Sequence, residues 1–232
     1  MIPLRDNIPH SRPPYGNYAI IVFTSLVFFW ELSLGGQLPR ATEALGFVPA
    51  RFVTLLLSSP QEFAVTFIPL VTSLFLHGGW LHLLGNMWFL YIFGDNVEDI
   101  LGHGRYLLFY LACGLGANLI YLLFSPFSTV PLIGASGAIA GVMGAYFNLF
   151  PGARILTLFI FIFIPIFLEL PAYFFLGLWF LMQFFFGSVA TMDAVPGGGG
   201  VAWWAHVGGF LVGVLLLHWL APQRVRSLFR RR

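Results

Sequence analysis

Ser136 lies in "GASGAIAGVMGAYF", Gly134 to Phe147, a run apolar enough for a membrane helix in which glycines strip bulk from around one hydroxyl. Such a hydroxyl becomes a useful nucleophile only when a base takes its proton. His206, in "AHVGG", is the natural base, and no carboxylate adjoins it in sequence. Asp193, in "SVATMDAVPGGGGVA", is the only nearby acid that could orient it, so a Ser-His dyad is the economical reading. Attack on a carbonyl creates an oxyanion that needs preorganised donors. The Ser136 backbone N–H, the Asn86 amide and the His82 ring could supply them, the last two coming from "HGGWLHLLGN" at i and i+4 on one helix face. These parts describe acyl transfer, and water as the second nucleophile makes it hydrolysis. The dyad needs no metal, so neither metal nor cofactor is expected.

The elements that must carry these groups are membrane spans. The chain has 232 residues, 59% hydrophobic and only 9% charged, against about a quarter charged in an ordinary soluble domain. Its net charge of +2 is too small and scattered to suggest a nucleic-acid partner. Cys113 stands alone, which excludes an intramolecular disulfide. Met1 to Asn17 is polar and proline-rich, and no cleavable signal peptide is evident.

Apolar runs suited to crossing a bilayer are Tyr18 to Leu34, roughly Leu83 to Leu101, Tyr106 to Phe124, Ser136 to Phe150, part of Ile155 to Gly187, and Trp203 to Leu220. Six spans are therefore expected in an all-α polytopic bundle, residues 17–222, between tails at 1–16 and 223–232. Ile155 to Gly187 is interrupted by Pro165 and Pro171. Its first part is read as membrane-lying or re-entrant, with a span from about Ala172. The stretch between the first two spans, Gly35 to Leu76, is read as a loop in the outer interface.

Orientation follows from the arginines, because basic residues are retained on the cytoplasmic side. With both termini inside, Arg5, Arg12, Arg105, Arg154, Arg224, Arg226, Arg230, Arg231 and Arg232 are cytoplasmic, leaving Arg40 and Arg51 outside.

Depth then ties the polar groups together. Ser136 lies 14 residues before Phe150, and His206 lies 14 before Leu220; at about 1.5 Å per residue both stand roughly 21 Å from the inner face. Asn86 is 15 residues from Leu101, with His82 one turn further out. A fourth span this short must begin below the outer surface, so the preceding loop must descend to meet it. Gly137, Gly141 and Gly144, facing Ala205, Gly209 and Gly213, would let the fourth and sixth spans approach closely enough to join Ser136 to His206.

Each feature has a plainer explanation. Ser136 could be the N-cap of its helix, glycine faces are usually packing surfaces, and His77 could simply bond a neighbouring carbonyl. Asp95, Glu98 and Asp99 suit contacts to loops and Arg105, and Trp30, Trp80, Trp203 and Trp204 suit interface anchors. What outweighs these readings is coincidence: serine, histidine, and an amide with an imidazole, on three spans at one depth.

The quoted motifs closely resemble the rhomboid intramembrane serine proteases of bacterial type, over nearly the whole chain. The resemblance implies a six-helix core in the cell (inner) membrane that cleaves other proteins' transmembrane segments near the outer surface. It implies Ser136 as nucleophile, His206 as base, His82 and Asn86 at the oxyanion, and His77, Gly134, Gly137, Gly141, Gly209 and Gly213 as structural support. It further implies that "SVATMDAVPGGGGVA" caps the site and that the fifth span borders a lateral access for substrate. Two departures stand out: some relatives place a tyrosine against the histidine where this chain has Ala140, and relatives often carry a Trp-Arg pair in the first loop, where it reads "FIPLVTSLFLH". Two rival readings remain, a silent relative that binds transmembrane clients without cutting them, and a metal site or transporter using His77, His82 and His206. The first class typically lacks the serine or histidine present here, and the second gives the serine-glycine motif no role. Oligomeric state is not legible in the sequence.

Overall fold

The computed structural model describes residues 1–59, 61–192 and 202–221. Helix α1 (Tyr15–Ser33) runs up from what is termed here the basal end, and α2 (Leu38–Leu45), α3 (Pro49–Ser58) and α4 (Phe63–Thr72) form the long loop that follows. Four helices then alternate in direction: α5 (Trp80–Leu101) down, α6 (His103–Phe124) up, α7 (Ser136–Leu149) down, and, after a β-hairpin, α8 (Ala172–Met192) up. Helix α9 (Trp203–Leu220) descends last. Short α7 lies at the centre, with Gly137 through Tyr146 all buried, against α5, α6, α8 and α9.

The polytopic helical architecture expected from the sequence is present, but the spans are unequal. Among the described residues, four helices are long and apolar enough to cross a membrane: Tyr15–Ser33, His103–Phe124, Ala172–Ala190 and Trp203–Leu220. The other two expected spans are the ones carrying Asn86 and Ser136. Helix α5 has the length but carries Asp95, Glu98 and Asp99 in its last turns, and α7 stops at 14 residues. An element of 14 residues covers about 21 Å, less than a hydrocarbon core of about 30 Å. The chain before it packs on the first loop: Phe47 and Leu132 pair across the two loops, and the Gly134 N–H bonds the Ser73 carbonyl at 2.9 Å.

The segment expected to lie in or re-enter the membrane folds as a β-hairpin. Strands β2 (Arg154–Phe161) and β3 (Ile164–Pro171) pair antiparallel along their whole length, and β1 (Ile2–Asp6) adds to β2. The run "ILTLFIFIFIPIFLELP" is rich in β-branched and aromatic residues, which fit a pleated surface. Its prolines sit on strand β3, whose other edge is unpaired among the described residues, so no inter-strand bond is lost there. The span from Ala172 begins where the sequence placed it.

The N-terminal segment, expected as a tail, is tied down. Besides β1, His10 bonds Asp95 at 3.1 Å, and the Ser11 hydroxyl and N–H donate to Asp99 at 2.6 and 3.0 Å. Helix α1 has no side-chain N-cap of its own; Glu98 of α5 accepts the N–H groups of Gly16 and Asn17 at 2.7 and 2.6 Å. A carboxylate there satisfies two orphan donors and faces the positive end of the α1 dipole. The acidic end of α5 therefore serves assembly of the basal end.

Candidate active site

Ser136 opens α7 as its first residue, but its hydroxyl does not cap the helix. The N-cap position is Ala135, and no side-chain cap bond is made. The Ser136 Oγ instead lies 2.8 Å from Nε2 of His206, one turn into α9. His206 is buried, whereas Ser136 is half-buried, so the hydroxyl is the more accessible member of the pair.

Backbone contact between α7 and α9 makes this approach possible. A Cβ at Gly209 would stand 2.0 Å from the Gly137 carbonyl oxygen, one at Gly213 2.0 Å from that of Gly141, and one at Gly144 2.3 Å from that of Phe210. On its other side Gly141 meets Cys113 of α6, whose Cβ would be 2.4 Å away, and Gly137 meets Ala117 at 2.7 Å. The expected small-residue faces thus meet each other, and α6 joins them.

His82 and Asn86 face this site from α5. A Cβ at Gly134 would fall 2.7 Å from His82 Nε2 and 3.7 Å from Asn86 Nδ2. Gly134 also has φ +124°, where a side chain is strained. His82 Nδ1 accepts a long bond, 3.4 Å, from the Gly78 N–H, which leaves Nε2 as the protonated nitrogen of a neutral ring, on the side of Gly134.

His77 has a more specific place than a carbonyl partner. Its Nδ1 lies 3.2 Å from the Phe75 carbonyl and must donate, so Nε2 is an acceptor. Asn86 Nδ2 sits 2.9 Å from that Nε2, and the Ala135 N–H points to it at 3.5 Å. One hydrogen of the Asn86 amide is thereby anchored and the amide orientation set. The His77 N–H in turn donates to the buried Glu31 carboxylate of α1, at 3.0 and 3.3 Å.

Three residues near the site were not singled out from the sequence. Glu31 carried a readable signal, a carboxylate inside an apolar span. Gln183 of α8 is buried, with Oε1 2.7 Å from His206 Nδ1. Trp179, one turn earlier on α8, lies 5.9 Å from the His206 ring, centroid to centroid, and Trp203 presents an edge at 6.4 Å. The aromatic wall absent at Ala140 is thus supplied by α8 and the start of α9. Asp193, considered as the orienting acid, and most of the expected cap, "SVATMDAVPGGGGVA", lie outside the described residues. The first loop, without a Trp-Arg pair, is fastened by Arg51, which donates to the carbonyls of Glu43 and Gly46, and by Asn118 of α6, which donates to the Leu70 carbonyl at 2.9 Å and to Ser73 Oγ at 3.1 Å.

Residues 65–223, which include every one of these groups except Glu31 and the first part of the loop, match the Rhomboid domain. The chain belongs to the rhomboid family. It is 30% identical over 191 residues to Rhomboid protein 1, mitochondrial, of Saccharomyces cerevisiae, a match covering 78% of this chain and 50% of that protein. It is 45% identical over 76 residues to Rhomboid protease GluP of Bacillus subtilis, 33% of this chain and 14% of the relative. With Rhomboid-like protein 11, chloroplastic, of Arabidopsis thaliana it shares 47% over 72 residues, 31% of this chain and 25% of the relative. The matches thus span half or less of the length of these relatives. As a rhomboid, the chain is a multi-pass membrane protein whose family includes members named as proteases.

Proposed function

We propose that this rhomboid is an intramembrane serine endopeptidase that hydrolyses a peptide bond in or near the transmembrane segments of other membrane proteins. The observation that carries the reading is the 2.8 Å contact between Ser136 Oγ and His206 Nε2, made by a hydroxyl that caps no helix, beside a buried imidazole. The proposed setting is a cell (inner) membrane, by resemblance to bacterial rhomboids, with both termini on the inner side, the orientation that the arginine distribution favours.

In this mechanism Ser136 Oγ attacks the scissile carbonyl carbon as its proton passes to His206 Nε2. The carbonyl oxygen becomes an oxyanion. Its donors are the His82 Nε2–H, the free hydrogen of Asn86 Nδ2, and the Ser136 backbone N–H, one of the helix-start donors that have no intrahelical partner. Collapse breaks the C–N bond, and the Nε2 proton leaves with the amine. Water then attacks the Ser136 ester with His206 again as base; the new acid departs and Oγ regains its proton.

A serine-directed fluorophosphonate probe tests the pairing without a substrate. Wild type is expected to label at Ser136 by mass spectrometry, with labelling lost in Ser136→Ala and reduced at least about 100-fold in His206→Ala, a loss typical of a missing general base. Equal labelling of folded His206→Ala and wild type contradicts the dyad.

A further inference from the structure

We infer that Gln183 is a positioning residue, selecting the tautomer of His206 that can act as base; the inference rests on the Ser136–His206 reading above. A neutral imidazole carries one proton, and the nitrogen without it is the acceptor. To take the Ser136 proton, Nε2 must be bare, so Nδ1 must hold the hydrogen and something must accept it. Where a serine-histidine pair works with a third member, a buried carboxylate takes that place. Here the Nδ1 partner is an uncharged amide oxygen, Gln183 Oε1 at 2.7 Å, on a side chain that is itself buried.

The amide oxygen is an acceptor only, so it fixes Nδ1–H and leaves Nε2 free to accept from Ser136 Oγ. The opposite amide orientation would donate to Nδ1, place the proton on Nε2 and disable the base. The ring is held from two directions by one helix: Gln183 bonds its edge while Trp179, at i−4 on the same face of α8, packs beside it. An amide confers the tautomer without the stabilisation of imidazolium that a carboxylate gives. It also puts no second charge into a buried, membrane-embedded site, where an unpaired carboxylate is costly.

The test uses the full chain in detergent micelles, labelled with 15N-histidine, the His206 signals being assigned by their loss in His206→Ala. Wild type is expected to show Nδ1 protonated and Nε2 bare; Gln183→Leu, which removes the acceptor, is expected to lose that preference, and Gln183→Glu to keep it. In cleavage of a fluorescent-tagged single-span substrate, Gln183→Leu should lower kcat on the order of 10- to 1,000-fold with KM little changed, as expected for a misoriented base. Gln183→Glu should restore most of kcat and move the acid limb of the pH–rate profile to higher pH, because a carboxylate on Nδ1 favours the imidazolium. A wild-type ring protonated at Nε2, or a tautomer unchanged in Gln183→Leu, overturns the assignment. So does a Gln183→Glu variant with the pH profile of wild type. Should Gln183→Leu fail to fold, the wild-type tautomer and the Gln183→Glu profile decide. Because the tautomer is read without turnover, a protein in which Ser136→Ala cuts as well as wild type would sink the protease reading while the spectra still judge Gln183.

Discussion

Gly209 of α9 rests on Gly137 of α7 so closely that a methyl group there would stand 2.0 Å from the Gly137 carbonyl oxygen. That obstacle is backbone, not the end of a flexible side chain, so it cannot give way locally. Gly209→Ala must push the two helices apart, at a cost of about 1–3 kcal/mol or more. The expected outcome is a lower Tm together with weaker fluorophosphonate labelling, since Ser136 and His206 ride on the separated helices. A variant as thermostable and as reactive as wild type would contradict the packing account.

Glu98 caps a helix that is not its own. Glu98→Ala leaves the N–H groups of Gly16 and Asn17 buried without their acceptor, at about 1–3 kcal/mol for each group that water does not reach. Thermal stability should fall clearly, and more than in Glu98→Gln, which keeps one acceptor oxygen. Equal stability of the two variants would show that the cap contributes little.

On the proposed oxyanion side, Asn86 and His77 are joined by one contact of 2.9 Å. Asn86→Ala should lower turnover by about 10- to 1,000-fold if its amide is one donor among several. His77→Leu should cost a similar factor, because the acceptor that orients the Asn86 amide is gone. Residues acting through one contact are non-additive, so the double variant should be scarcely worse than Asn86→Ala alone. Multiplicative losses would separate the two residues.

The hairpin carries local strain. Its two-residue turn is Ile162-Phe163, with φ of +44° and +71°, in the left-handed region that β-branched and bulky residues disfavour. Hairpins of this length favour Asn-Gly there. Replacing the pair by Ile162→Asn with Phe163→Gly should stabilise the protein by about 1–2 kcal/mol, read as a higher Tm. A fall in Tm would mean that the apolar tip makes contacts outweighing its strain.

Much of the site was legible because membrane spans convert sequence position into depth. Counting from Phe150 and Leu220 puts Ser136 and His206 in one layer, and the glycine spacing indicates which helices touch. The hairpin was not legible, since an apolar run with prolines fits a membrane-lying segment as well as a pair of strands, and only the partner strand distinguishes them. Gln183 was equally hidden. A lone glutamine in "WFLMQFFFG" has no motif around it, and its meaning depends on the rotation of α8 about its own axis, which packing against α7 and α9 sets. A carboxylate is the usual partner of such a histidine, and the acid nearest His206 in sequence is Asp193, which draws attention away from a neutral acceptor. Glu31 sits inside an apolar run as an evident anomaly, yet its partner is a backbone N–H that no sequence pattern announces.

The central claim is that Ser136 is the nucleophile of a peptide-bond hydrolase, and it is tested most directly by cleavage of a fluorescent-tagged transmembrane substrate by the purified protein, wild type against Ser136→Ala. The account predicts that wild type produces two defined fragments and that Ser136→Ala, equally folded, produces none. Cleavage by both at the same rate contradicts it, as does a folded wild type that cuts none of a broad panel of single-span substrates, the behaviour of a scaffold that binds clients without cutting them.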